Sequence, residues 1–152
     1  MEVIYCCYAG AHTSVTAAGI HVGLLPTISR PSAREILSLP NFDRGSSREL
    51  GRVLRFGEDE YGNSVYVAGL GPSRGTTLAA LRLVLQASGV SADALCFVDA
   101  LQCISLWVRF GGFLSRRCGC VSLGRPMCVY GILARYDCYV RLASEVKALC
   151  RT

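Results

Sequence analysis

Hydrophobic residues occur along the chain in two patterns, short apolar runs and longer stretches with helical spacing. The opening run 3–8 is rich in β-branched and aromatic residues, which is typical of a buried strand. The small-residue segment 9–14 follows, and residues 15–23 then form an apolar stretch long enough for a helix. We therefore predict a strand, a tight loop and a helix, with Thr13 or Ser14 as the N-terminal cap of that helix.

The same two patterns continue to the C-terminal end. Serine and glutamate lie three residues apart at Ser32 with Glu35 and at Ser46 with Glu49, a spacing typical of capping boxes at helix starts. Helices are predicted from such caps and from apolar spacing at 33–38, 47–53, 76–88, 100–110 and from residue 137 onward. Strands are predicted from short apolar or β-branched runs at 53–56, 64–68, 95–98 and 127–133.

The order of these elements predicts the fold class. Strands that alternate with helices favour parallel β-α-β units with right-handed crossovers. The runs 53–56 and 64–68 are joined by a polar turn, which indicates an antiparallel hairpin. A length of 152 residues suits a single domain over residues 1–152. The predicted fold is α/β, a three-layer, mostly parallel Rossmann-like sheet with an added antiparallel hairpin.

The composition argues against a membrane protein, although the mean hydropathy is +0.36. Asp99 and Arg109 interrupt the most apolar region, so we expect no membrane-spanning segment and no membrane partner. The N-terminus lacks the pattern of a secretory signal, which predicts a cytoplasmic location. A cytoplasmic location also predicts reduced cysteines. In addition, five of the nine cysteines lie in apolar runs, where a thiol packs as a small hydrophobic group. These five are Cys6, Cys96, Cys103, Cys128 and Cys138.

The net charge of +5 comes mainly from arginines, which are spread along the chain without a basic block. Two predicted helices and a hairpin in the region 33–68 loosely resemble the order of a winged helix. The tip of that hairpin carries Glu58, Asp59 and Glu60, which would repel nucleic-acid phosphates. We interpret these carboxylates as a solvated turn, and we expect neither a nucleic-acid partner nor a metal site there. The sequence indicates no particular oligomeric state.

The turn between the first strand and the first helix is the predicted binding site. A helix that starts directly after a strand leaves its first N–H groups unpaired, and these groups favour an anion on the concave side of the loop. Arginines that follow later turns are its expected partners, because guanidinium groups match phosphate and carboxylate oxygens. We therefore expect a small anionic ligand. The predicted ligand-binding residues are Gly10, Ala11, Thr13, Ser14, Arg116 and Arg125.

Three side chains are candidates for catalysis. His12 lies in the turn and could transfer protons near neutral pH. Asp99 follows a predicted strand, where it could reach a ligand at the carboxyl edge of the sheet or could cap the next helix. Cys7 ends the first strand and is either a nucleophile or a packed thiol. His21 is expected to be a packed or surface residue, and the segment Cys118-Gly119-Cys120 lacks the second ligand pair of a metal site.

Residues 7–14 resemble the phosphate loop of the B components of bacterial sugar phosphotransferase systems. The segment is also similar to the loop of low-molecular-weight tyrosine phosphatases, although His12 or Thr13 stands where the phosphatase arginine is expected. The resemblance implies that Cys7 accepts a phosphoryl group and that Thr13 and Ser14 supply the loop hydroxyls.

The whole chain resembles an uncharacterised bacterial family seen mainly in endospore-forming bacteria. The resemblance rests on the segments 8–14, 57–66, 111–116 and 124–126. It implies a bacterial, cytosolic protein without an established activity, and it identifies no cofactor. Two hypotheses follow from the sequence: a phosphoester or nucleotide hydrolase or transferase, and a non-catalytic module that binds or senses an anionic ligand.

Overall fold

The computed structural model describes residues 1–44, 50–91 and 94–151. Within these ranges the chain forms an open sheet with helices packed against it, and a 3₁₀ turn at Ala100–Cys103 follows the last strand. The strands are β1 (Glu2–Cys7), β2 (Val53–Glu58), β3 (Ser64–Gly69) and β4 (Leu95–Asp99). The helices are α1 (Thr13–His21), α2 (Ala33–Ser38), α3 (Arg74–Ala87), α4 (Leu106–Arg116), α5 (Val121–Ala134) and α6 (Tyr136–Leu149).

The four strands are arranged in the order β2-β3-β1-β4. The first strand is central and pairs in parallel with β3 on one side and β4 on the other. The hairpin of β2 and β3 is antiparallel. The predicted α/β class, the mostly parallel sheet and the added hairpin are therefore confirmed, while the three-layer Rossmann-like arrangement stays a prediction.

The main core is centred on α1, whose residues are all buried. Val3 and Tyr5 of β1 contribute to it from the sheet, and Tyr139 and Val146 of α6 contribute from the other side of α1. Neighbouring residues of a strand point to opposite faces of a sheet, and Ile4 and Cys6 accordingly belong to a second, smaller cluster with Leu78 of α3. The first helix is thus enclosed along its whole length.

Several predicted elements are confirmed, including α2, α3 and α6. The capping box of α2 is present, with Ser32 and Glu35 bonding each other's backbone N–H groups. The capping box predicted at Ser46 and Glu49 lies outside the described residues. Much of the helix predicted at 47–53 also lies outside them, and Val53, its last residue, begins strand β2. The predicted cap of α1 is wrong: His12 occupies the cap position and its side chain makes no capping bond.

Two predictions in the C-terminal half are wrong. The helix predicted at 100–110 is divided into the 3₁₀ turn and α4, because Ser105 caps a new helix through the N–H of Val108. The strand predicted at 127–133 is part of helix α5. This helix packs closely against α4, and a Cβ on Gly124 would lie 2.5 Å from the Gly111 carbonyl oxygen. The run is therefore buried by helix-on-helix packing, which the apolar pattern alone does not distinguish from a central strand.

Cys103 and Cys138 form a disulfide that joins the 3₁₀ turn to α6. The expectation that both thiols are reduced is wrong, because the packing of these two elements brings their side chains together. Other cysteines of the described chain are free, and Cys118 and Cys120 are exposed between α4 and α5. None of the described helices combines the length and the apolar character that a membrane crossing requires.

Candidate functional site at the first loop

The loop after β1 brings three of the predicted site residues into contact. Gly10 has a φ of 68°, a left-handed conformation that glycine adopts without strain. Its N–H donates to the Cys7 sulfur over 3.0 Å, and Ser14 Oγ lies 3.1 Å from the same sulfur. The buried thiol is therefore enclosed by a backbone amide and a hydroxyl.

The end of β3 fixes the path of this loop. The N–H groups of Leu70 and Gly71 donate to the carbonyl oxygens of Cys7 and Tyr8, each over 2.9 Å. Gly69 is in close contact with the loop, since a Cβ there would lie 2.6 Å from the carbonyl carbon of Ala9. Glycine at position 69 is thus needed for the approach of the two backbones.

His12 is buried beside the loop and is held by Asp43. Its Nε2 lies 3.0 Å from Asp43 Oδ1, and the Phe42 ring packs edge-on against the imidazole at 5.4 Å between centroids. The Asp43 N–H also donates to the Ala11 carbonyl oxygen over 3.0 Å. The segment that contains Asp43 is therefore joined to the loop through both its backbone and its side chain.

Asp43 also connects the loop to α4 and α5. Ser115 Oγ lies 2.7 Å and 2.9 Å from the two carboxylate oxygens, so its hydroxyl donates to this carboxylate. Arg125 Nε donates to Oδ2 over 3.0 Å. Burial would raise the pKa of Asp43, but the hydrogen bonds from His12, Ser115 and Arg125 outweigh it and lower the pKa to about 2. The carboxylate is therefore charged throughout the physiological pH range.

This lowered pKa predicts acid sensitivity of the fold. A carboxylate with a folded-state pKa of about 2, against an ordinary value of 3.8, contributes stability above pH 3.8 that is lost as the pH falls toward 2. We expect the Asp43 contribution, about 2 kcal/mol, to disappear over that interval, as measured by urea unfolding at a series of pH values. In an Asp43→Asn variant the fall in the free energy of unfolding over this interval should be smaller by about 2 kcal/mol, whereas an unchanged fall would contradict the assignment.

A small cavity of about 100 Å³ lies beside the loop. Ala9 and Gly10 form part of its wall, and Arg44 and Arg52 line it as well. The first residues of α1 are buried, so the loop meets this cavity through residues 9 and 10 rather than through the helix start. The other lining residues are Asn41, Leu54, Val67 and Gly69.

Two buried hydroxyl groups near the loop have no hydrogen-bond partner in the described part of the chain. They are Thr13 Oγ1, at the first position of α1, and the Tyr139 hydroxyl of α6. Burial raises the pKa of Tyr139, and the nearby Cys7 raises it further. The Tyr139 hydroxyl is therefore a neutral donor in the neighbourhood of the Cys7 thiol.

The remaining predicted residues lie apart from the thiol. Asp99 caps the 3₁₀ turn through the N–H of Leu101 and accepts a hydrogen bond from Arg74 Nε, each over 3.0 Å. Capping was one of the two roles expected for it. Arg116 is half-buried in the last turn of α4, and Arg125 reaches the loop indirectly, through Asp43.

A second buried network surrounds His21. The Tyr5 hydroxyl lies 2.7 Å from His21 Nδ1, and His21 Nε2 lies 3.1 Å from Asp59 Oδ2. The histidine is packed, which was one of its two expected states, and burial lowers its pKa. The expectation that Asp59 is solvated is wrong, because it is buried against His21 and accepts hydrogen bonds from Asn63.

The same region contains a set of possible metal ligands. The ligand atoms of His21, Asp59 and Cys150 all lie within 4.8 Å of one another. Both Asp59 oxygens already accept hydrogen bonds from the Asn63 side chain, and Tyr5 occupies the other His21 nitrogen. Hydrogen bonding within the protein therefore satisfies this cluster.

Sequence reasoning missed Asp43 and Ser115. The turn that carries Asp43 does contain two residues with positive φ, Asn41 at 62° and Asp43 at 51°, which are residue types that adopt this conformation more readily than most. The sequence marks that turn, but it does not show that the carboxylate meets His12.

Comparison with known proteins identifies the family of the chain. A family model described as "Protein of unknown function (DUF3189)" matches residues 2–148. The chain belongs to this family. The DUF3189 match includes the loop, Asp43 and the helix pair α4–α5, and it ends before Cys150. No curated protein and no solved structure matches the chain.

Proposed function

We propose that the protein binds a phosphate-bearing or other small anionic ligand in the cavity beside the first loop. The observation that carries this proposal is the pair of arginines, Arg44 and Arg52, in the wall of a cavity whose floor includes Ala9 and Gly10. Guanidinium groups donate paired hydrogen bonds to phosphate and carboxylate oxygens. A bacterial origin and a cytoplasmic location, both implied by the family resemblance, belong to the same proposal.

The size of the cavity indicates which part of a ligand enters it. Its volume is about 100 Å³. A phosphate or carboxylate group fits this space, whereas pockets that enclose a whole drug-sized ligand generally measure about 300 Å³ or more. The anionic group would therefore sit inside and the rest of the ligand would extend over the surface.

Phosphate binding should depend on Arg52. We expect inorganic phosphate and simple phosphate esters to raise the melting temperature by mass action. Arg52→Gln should weaken phosphate binding by about tenfold or more, because one charge-assisted hydrogen bond is lost. The measurement is the phosphate dependence of the melting temperature, with chloride at equal ionic strength as the reference.

Arg55→Gln is the matched control. Arg55 is close to Arg52 in sequence and exposed, but it does not line the cavity. The control should bind phosphate like the unmodified protein. If phosphate produces no shift, or if both variants weaken binding equally, the cavity is not the binding site.

A second candidate function is phosphoryl transfer or phosphoester hydrolysis, and the environment of Cys7 favours it. The Gly10 N–H and Ser14 hydroxyl can both stabilise a thiolate at this position. The sulfur would attack phosphorus and form an S–P bond while the ester oxygen leaves with the bonding electrons and takes up a proton. Water would then hydrolyse the thiophosphate. His12, which lies beside the loop, is the proposed proton donor and acceptor.

Cys7→Ser distinguishes this candidate from simple binding. If Cys7 is the nucleophile, the serine variant should lose turnover of a phosphate ester by more than about a thousandfold while it still binds inorganic phosphate. Cys118→Ser, at an exposed thiol, is the control and should keep full turnover. Full turnover in Cys7→Ser would exclude the covalent route. If the unmodified protein hydrolyses no phosphate ester, the catalytic candidate is excluded and only the binding function stands.

A further inference from the structure

Helix α4 directs its large apolar side chains outward. Leu106, Phe110 and Phe113 follow one another at helical spacing and are 67%, 61% and 56% exposed. The buried face of the same helix consists of Val108, Gly111 and Ser115. The side that packs against the protein is therefore built from small residues, and the more hydrophobic side faces solvent.

Helix α5 extends this apolar surface. The Trp107 ring packs edge-on against the Tyr130 ring, with 5.4 Å between centroids, and both residues are half exposed or more. Leu123 of α5 is 61% exposed. We define the outer aromatic face as Leu106, Trp107, Phe110, Phe113, Leu123 and Tyr130. Contiguous apolar surface of this kind marks an interaction site more often than isolated exposed residues do.

The sequence of the helix pair that forms this face carries charge of one sign. The sequence contains no acidic residue between Asp99 and Asp137, whereas five arginines lie in that interval. Arg117 continues the line of Leu106, Phe110 and Phe113 at the end of α4, and Arg109 is exposed on its flank. An occupant of the face must therefore supply negative charge as well as an apolar environment.

We propose that the outer aromatic face binds the surface of an anionic lipid bilayer. A second copy of the chain fits less well, because two such faces would bring arginines together with no carboxylate from this region to offset them. Helices with leucine and aromatic residues on one face and arginines at its border lie in the lipid interface, where tryptophan and tyrosine rings are also favoured. We expected no membrane partner because the sequence lacks a membrane-spanning segment. Binding at the bilayer surface does not require such a segment.

Trp107 provides the measurement, because it is the only tryptophan of the chain. We expect its emission to shift to shorter wavelength when vesicles of phosphatidylcholine with phosphatidylserine are added, and the protein to sediment with them. Vesicles of phosphatidylcholine alone should bind much less, and added salt should weaken binding. Phe110→Ser should reduce partition into the anionic vesicles by about tenfold or more, and Arg117→Gln by about fivefold.

Leu83→Ser is the matched control, since Leu83 is as exposed as Leu106 but lies on α3. It should bind anionic vesicles like the unmodified protein, and circular dichroism should show that all variants remain folded. Equal loss in Leu83→Ser and Phe110→Ser would overturn the proposal, as would no binding to anionic vesicles. A solution dimer that Phe110→Ser converts to a monomer would assign the face to a second copy instead.

Discussion

Replacing Asp43 with alanine is expected to lower the free energy of unfolding by about 3–5 kcal/mol. The substitution removes the shared acceptor of His12, Ser115 and Arg125, and it leaves the first two buried without their partner. It also places alanine at a φ of 51°, which aspartate tolerates better. Urea unfolding followed by circular dichroism gives the difference in free energy.

Asp137→Ala is the control for this measurement. Asp137 pairs with Arg30 on the surface, where both side chains are mostly exposed, so its loss should change stability by about 0.5 kcal/mol or less. Asp43→Asn should lie between the two, because it retains the shape and loses the charge. A stability of Asp43→Ala equal to that of Asp137→Ala would show that the buried network is not a structural support.

Gly124→Ala is expected to destabilise the protein by about 3 kcal/mol. The added Cβ would lie 2.5 Å from both the Gly111 carbonyl oxygen and the Ser115 nitrogen. Both contacts involve backbone of α4, which cannot move aside without separating the two helices. Thermal and urea unfolding should both show the loss, and Trp107 fluorescence should report the displacement of the helix pair.

Gly75→Ala is the matched control for the glycine substitution. Gly75 lies in helix α3, and a Cβ there meets no atom within 4 Å. Alanine should therefore stabilise the helix by up to about 1 kcal/mol. If Gly124→Ala is as stable as the unmodified protein, the helices separate at little cost and the close contact is not required.

The strands of the sheet could be predicted from sequence because their signals are local. The run 53–56, the polar turn and the run 64–68 each have a distinctive composition, and together they identify the hairpin. The first strand and the buried helix after it were recognised in the same way. Gly23, with a φ of 78°, lies just after the C-cap of α1, where glycine commonly follows a helix.

The region 127–133 could not be assigned in this way. Seven apolar residues in succession fit a buried strand or a buried helix equally well. Proline usually disfavours a helix interior, yet Pro126 lies inside α5. What decides the structure is the contact of Gly111 with Gly124 and the ion pair of Arg125 with Asp43, both between residues far apart in sequence.

The candidate site was predictable only in part, for the same reason. Cys7, Gly10 and Ser14 lie close together in sequence, at the end of β1, in the loop and at the start of α1, and their contact follows from the local pattern. The partner of His12 comes from a different turn, 31 positions away, and the arginines of the cavity come from the segments before and at the start of β2. These residues come from separate segments of the chain, so no local pattern predicts that they meet.

The central position of β1 has a consequence for the way the chain acquires its structure during synthesis. The first strand leaves the ribosome before either neighbour exists, and its partners are residues 64–69 and 95–99. Its backbone N–H and C=O groups therefore lack their sheet partners until most of the polypeptide has been translated. Such dependence on distant segments slows folding and exposes the nascent chain to aggregation, so assistance from a chaperone would act chiefly on this N-terminal segment.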